Sequence, residues 1–124
     1  MTLAELIAEA DQVKPNQFEK EIKTRWVSEI EQTVKERILD RAEGSKGGAF
    51  APYSYDEDQE RELLIPDQYA DVYIHYICAK IDYYNREFAG YNNAAALHEA
   101  ALNDFAAFWK RTHRPKPLPK MRRF

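Results

Sequence analysis

The residues best equipped for chemistry in this chain are His75 and Cys78, three positions apart and so on one face of any helix they share, with Asp71 and Asp82 about a turn away on the same side. Imidazole, thiolate and carboxylate are the ligands a divalent metal takes, yet one Cys and one His leave a tetrahedral site half built. No C-x-x-C or H-x-x-x-H pair supplies the rest. A partly buried His beside an inert core Cys accounts for the pair better. Gly44-Ser45-Lys46-Gly47-Gly48 lacks the G-x-x-x-x-G-K-[ST] order that would cradle a phosphate and reads as a turn. Asp56, Asp58, Glu60 and Glu62 alternate as calcium-loop ligands do, but Arg61 stands where the glycine belongs and Asp67 where the bidentate glutamate belongs. No serine sits in a G-x-S-x-G elbow. The expectation is a protein that is not an enzyme, with no cofactor and no metal site.

The elements that carry these residues are helical. Thr2 followed by Glu5 signals a capping box that opens a first helix through Leu3, Leu6, Ile7 and Ala10, broken by Pro15-Asn16. A second helix is expected from about Asn16 to Arg41, where Phe18, Ile22, Trp26, Ile30, Val34 and Ile38 recur every fourth residue. Such a row winds round a helix with 3.6 residues per turn and favours a crossed packing. On its outer side Glu19 with Lys23, Glu21 with Arg25 and Glu31 with Lys35 are expected to pair. A long glycine-containing and acidic loop follows, with a short β-ribbon expected between Phe50 to Tyr55 and Glu62 to Ile65; a loop of this length suggests a docking segment, mobile until a partner orders it.

Pro66 suits the first turn of a third helix, which should run to about Phe88 with Gly90 as its left-handed stop. Its residues separate into an aliphatic stripe (Ala70, Ile74, Ile77, Ile81, Phe88), a tyrosine stripe (Tyr69, Val72, Tyr73, Tyr76, Tyr83, Tyr84) around Lys80, and a polar strip (Asp71, His75, Asp82, Arg86) expected to face water. Asn92 or Asn93 can cap a fourth helix that packs through Ala94, Leu97, His98, Ala101, Leu102, Phe105, Phe108 and Trp109. The prolines at 115, 117 and 119 end it. The expected fold is therefore all-α, with four helices in one domain over residues 1–112 and an extended basic arm over 113–124.

Charge divides the chain more sharply than its net −3 suggests. Seven of the 18 Lys and Arg fall between Lys110 and Phe124 with no acid among them, which leaves eleven bases against 21 acids before that point. A −10 body with a +7 tail suggests an arm reaching for nucleic acid or for the acidic surface of another copy. Apolar runs stay far below the roughly 18 residues of a membrane span. One cysteine forms no internal disulfide and no leader is evident, so a cytosolic setting and no membrane are expected.

Six of the eight tyrosines lie between Leu63 and Pro115, and this stretch resembles the head-tail connector (adaptor) proteins of tailed bacteriophages. The resemblance is carried by Leu63-Leu64-Ile65-Pro66, Tyr69, Tyr73 to Tyr76, Lys80-Ile81-Asp82, Asn85, Glu87, Tyr91-Asn92-Asn93, Phe105, Trp109 and Arg111-Thr112-His113-Arg114-Pro115. Gly90 and His98 depart from the family pattern, where a helix-compatible residue and a larger apolar side chain would stand. The resemblance implies a connector-like helical domain that forms a ring of about twelve copies between the portal and the tail, with DNA passing through its channel unread. It places the protein in the virion, and in the host cytoplasm during assembly, with other copies of itself, the portal protein and tail proteins as partners.

Candidate contact residues follow. The tyrosine stripe offers Tyr69, Tyr73, Tyr76, Lys80 and Tyr84 as an interface, on the ground that it carries more apolar surface than one neighbouring helix can cover. The loop offers Tyr53, Tyr55, Asp56 and Asp58, and the arm offers Arg114, Lys116, Leu118, Lys120, Met121, Arg122, Arg123 and Phe124. The alternative reading is a small helical nucleic-acid-binding protein using its basic C-terminal tail against phosphates, disfavoured by the acidic body and by the lack of a basic stripe on any helix.

Overall fold

The computed structural model describes residues 1–45 and 47–116 and is all-α. Five helices form: α1 (Leu3–Val13), α2 (Lys20–Arg37), the single-turn α3 (Tyr55–Asp58), α4 (Asp71–Tyr84) and α5 (Phe88–Thr112), with 3₁₀ turns at Leu39–Arg41 and Asp67–Tyr69. Four correspond to the helices the sequence predicts, and α3 lies in the loop where a ribbon was expected. Among the described residues no strand forms there. The amide of Tyr53 is bound by Ser28 Oγ on α2 at 2.9 Å, and Glu62 pairs with Thr2, so neither edge is free to meet the other.

Helix α1 opens as its sequence dictates, with Thr2 Oγ1 accepting from the Glu5 amide at 3.2 Å and the Glu5 carboxylate accepting from the Thr2 amide at 3.3 Å. The other first-turn amides, which no helix can satisfy from within, find the loop: Leu3 donates to the Arg61 carbonyl and Ala4 to the Gln59 carbonyl. The loop after α3 is thereby fastened to the start of the chain.

Helix α2 begins later than predicted because Asn16 closes a turn instead of capping a helix, its side chain accepting from the Phe18 amide and donating to Asp11 and Lys14. The expected surface pairs of α2 are also replaced. Lys23 is buried and pairs with Asp11, Lys35 pairs with Asp40 at 2.7 Å, and Glu31 faces inward. The four-residue row does pack: Trp26, Ile30, Val34 and Ile38 are buried, with Phe18 and Ile22 partly so. They meet Leu3, Leu6, Ile7 and Ala10 of α1, Val72, Ile74, Ile77 and Ile81 of α4, and Phe105 of α5 in one core.

Helices α4 and α5 form an antiparallel hairpin. Tyr83 meets Tyr91, Tyr76 meets His98, and Tyr69 meets Phe105, so one number rises as the other falls. The turn is earlier than predicted, and Gly90, Asn92 and Asn93 all lie inside α5. Arg86 takes the left-handed conformation (φ 60°), its amide bonding the Tyr83 carbonyl and that of Glu87 bonding the Asp82 carbonyl. This is a complete Schellman close with arginine where glycine is usual. Gly90 serves a different need: a Cβ there would stand 2.8 Å from the Asp82 carboxylate. Asp82, expected in water, is buried beneath that close approach and ion-pairs with Lys14.

Candidate contact surfaces

The tyrosine stripe divides into three environments. Tyr73 is wholly buried. Its hydroxyl donates to Glu31 and accepts from the Ile65 amide at 3.0 Å. Glu31, fully buried on α2, also accepts from the Tyr53 hydroxyl at 2.8 Å and from the Leu64 amide at 3.1 Å. Three donors thus converge on one carboxylate that has no cation beside it among the described residues. Burial raises the Glu31 pKa above the ordinary carboxylate range although all three hydrogen bonds pull it down. Burial first, then the Glu31 charge, pushes both tyrosine hydroxyls up. Tyr73 therefore cannot touch another molecule while the domain is folded, which corrects its assignment to the interface.

Tyr69 lies at the other end of the hairpin, half-buried against Phe105 and Phe108, with ring centroids 5.6 and 5.0 Å away. It packs α5 onto α4. The remaining predicted residues, Tyr76, Lys80 and Tyr84, do come together. With Tyr83, Tyr91 and His98 they line a groove of about 500 Å³ between the C-terminal half of α4 and the N-terminal half of α5. Tyr83 and Tyr84 are about half exposed, at 50 % and 49 %. Tyr84 lies flat against Trp26 at 5.8 Å, and Tyr83 stands edge-on to Tyr84 and tilted against Tyr91. Glu29 of α2 accepts from the Tyr76 hydroxyl at 2.8 Å and pairs with Lys80 at 3.4 Å. Burial and the Glu29 carboxylate raise the Tyr76 pKa. His98 sits 2.9 Å from the Val72 carbonyl through Nδ1, so that nitrogen carries the proton, and burial lowers its pKa. Sequence reasoning left Tyr91 and His98 out of the site because only the hairpin register, rung by rung, brings them opposite Tyr83 and Tyr76.

The predicted loop residues act mainly as anchors. Tyr53 is bound by Ser28 and Glu31, Tyr55 lies under the Lys20 ammonium at 5.2 Å, and Asp58 accepts from the Ser54 amide at 2.8 Å. Asp56 alone of the four is exposed without a partner among the described residues.

The first residues of the arm turn back onto their own subunit. His113 stacks on Trp109 with ring centroids 3.5 Å apart, Pro115 bridges to Ala42, and the amides of Glu43 and Lys116 bond the carbonyls of Arg114 and Arg41. Arg114 reaches Glu43 at 4.0 Å. A second groove of about 790 Å³ opens here, lined by Arg37, Arg41, Lys110 and Lys116 around Trp109 and His113. Leu118, Lys120, Met121, Arg122, Arg123 and Phe124 lie outside the described residues.

Among the residues that line the two grooves there is no serine, threonine or cysteine. Cys78 is buried, and burial pushes its thiol pKa up. Among the described residues no three His, Cys, Asp or Glu side chains gather closely enough to hold a metal ion, and no helix is long and apolar enough to cross a membrane. The two grooves differ in character, an aromatic one at one end of α5 and a cationic one at the other, roughly 25 Å apart along the helix. No family model matches the chain, and searches of curated proteins and of solved structures likewise return no match.

Proposed function

We propose that this protein is a structural subunit of the tailed-phage neck, a head-tail connector (adaptor) that assembles as a ring between the portal and the tail and leaves a channel for DNA. The observation that carries the contact role is the Tyr76, Lys80, Tyr83, Tyr84 and Tyr91 groove, in which aromatic side chains are held half exposed by a packed hairpin. Tyrosine is favoured at interfaces because it offers large amphipathic area at little cost in side-chain freedom, and a groove already formed leaves less order to be gained on binding. Phe88 and Leu97, 57 % and 45 % exposed near the same end of α5, enlarge the apolar area. The phage assignment rests on the resemblance along Leu63 to Pro115. It makes other copies, the portal protein and tail proteins the partners, and the virion the destination after assembly in the host cytoplasm.

The test is electron microscopy of this protein mixed with the portal protein of the same genome. Wild type should form a ring on the portal. The double variant Tyr83→Ser, Tyr84→Ser should keep its helical content and lose the ring. Normal rings from the double variant, or no association by wild type, would defeat the reading. Nucleic-acid binding is the second reading, favoured by the cationic groove beside Trp109; it requires binding to duplex DNA that weakens steeply with salt.

A further inference from the structure

We propose that the cationic groove receives the acidic α3 segment of a second copy, so that subunits join head to tail through opposite charge. This deepens the connector reading and rests on it for closure of the ring, while the pairing itself stands on the geometry of α2. At the C-terminal end of α2, Arg37, Arg41, Lys110 and Lys116 line the groove. All four are exposed, and among the described residues none of them is in an ion pair. The acid in that wall, Asp40, is occupied by Lys35 and Ser45. Trp109 also lines the groove, and its indole N–H is buried without an acceptor among the described residues.

The opposite end of α2 has the opposite sign. Lys20 lies over Tyr55, the first residue of α3, and next to it Asp56, Glu57 and Glu60 are exposed and take part in no ion pair among the described residues. From Lys20 to Arg37 the helix advances about 25 Å at 1.5 Å per residue. That is some three times the screening length of about 8 Å at physiological salt. The two patches therefore barely interact within one subunit, and each keeps its field for a neighbour. When each subunit gives its groove to one neighbour and its α3 to another, the pairing is heterologous, the interface that generates a closed ring or an open filament. A short acidic segment fits better than a nucleic acid, since the groove is set in a body with eleven bases against 21 acids before Lys110, which a long polyanion crossing the groove would also have to approach.

Sedimentation velocity on the full chain tests this, at low salt and at about 0.5 M salt, where such attraction is screened. Wild type should self-associate at low salt and dissociate at high salt. The groove variant Arg41→Glu, Lys110→Glu and the segment variant Asp56→Lys, Glu57→Lys should each associate at least tenfold more weakly with melting temperatures close to wild type, all four sites being exposed. An equimolar mixture of the two should recover association in part, because the unaltered groove of the segment variant still meets the unaltered α3 of the groove variant. Unchanged association in either variant, no recovery on mixing, or a wild type that stays monomeric at low salt would overturn the pairing. So would a groove variant that loses duplex DNA binding with its self-association intact. The connector reading fails separately: charge pairing without portal binding removes that reading alone, and portal binding without charge pairing removes this one alone.

Discussion

Tyr73 and Tyr83 lie ten residues apart on one helix and meet opposite fates. Tyr73 faces α2, where Glu31 waits as an acceptor and the Ile65 amide as a donor, so its hydroxyl can be buried with both hydrogen-bonding capacities met. Tyr83 is half exposed, with the rings of Tyr84 and Tyr91 beside it and no hydrogen bond to its hydroxyl among the described residues. A tyrosine is buried where its oxygen finds partners and kept at the surface where only its ring does. The first arrangement should carry stability and the second contact, and substitutions can separate the two.

The largest effect is expected at Glu31. Glu31→Ala leaves the Tyr73 and Tyr53 hydroxyls and the Leu64 amide without their acceptor, and should cost about 3 to 5 kcal/mol of unfolding free energy, measurable by chemical denaturation. Glu31→Gln should cost less and also expose a pH dependence. The raised pKa of Glu31 means that the folded state keeps a proton the unfolded chain has already released. That contribution is fully present below the unfolded pKa and is lost as pH rises through the folded one. The stability difference between wild type and Glu31→Gln should therefore shift in favour of wild type as pH falls from about 8 to about 5. A difference that does not move with pH would show that Glu31 does not change its proton count on folding.

Next in size is Tyr73→Phe. The ring and its packing remain, but the buried Ile65 amide loses its acceptor and Glu31 loses a donor, for an expected loss of about 1 to 3 kcal/mol. Tyr83→Ser, which removes a half-exposed ring, should cost less than about 1 kcal/mol and, on the connector reading, still reduce assembly on the portal. Equal melting temperatures for the two variants, or an assembly defect confined to Tyr73→Phe, would erase the distinction between the two sets of tyrosines.

Much of the fold is legible in the sequence because its signals are local. Thr2 and Glu5 sit three apart and form the capping box they promise, and the row from Trp26 to Ile38 packs at the spacing that predicts it. Ile74, Ile77 and Ile81 form the buried stripe of α4. What the sequence conceals depends on distant partners. Glu31 beside Lys35 has the spacing of a surface pair, and its burial becomes affordable only through donors on Tyr53, Leu64 and Tyr73, 22, 33 and 42 positions away. Gly90 reads as a helix stop, yet its need for a bare Cα comes from the Asp82 side chain pressed against it. Of the five tyrosine-stripe candidates, Tyr76, Lys80 and Tyr84 share the groove, and Tyr69 and Tyr73 do not, because the stripe meets different neighbours along its length: Phe105 and Phe108 at Tyr69, Glu31 at Tyr73.

The smallest effect expected is a gain, and it sharpens the comparison by stiffening the exposed groove without touching it. Arg86 closes the turn between Tyr84 and Phe88 and so sets Tyr83 against Tyr91 across the hairpin. Its φ of 60° is a conformation that brings Cβ close to the following carbonyl, at a cost of roughly 1 to 2 kcal/mol for a residue with a side chain. Glycine removes that crowding while adding freedom to the unfolded chain, which takes back about 0.4 to 1 kcal/mol. Arg86→Gly should therefore raise stability by about 0.5 to 1 kcal/mol, since the amides of Arg86 and Glu87 keep their bonds to the Tyr83 and Asp82 carbonyls. The exposed Arg86 side chain takes part in no ion pair among the described residues, so no compensating attraction is lost. On the connector reading, the same variant should assemble on the portal no worse than wild type. A melting temperature that falls instead would show that the arginine side chain supports the turn by contacts outweighing its backbone strain.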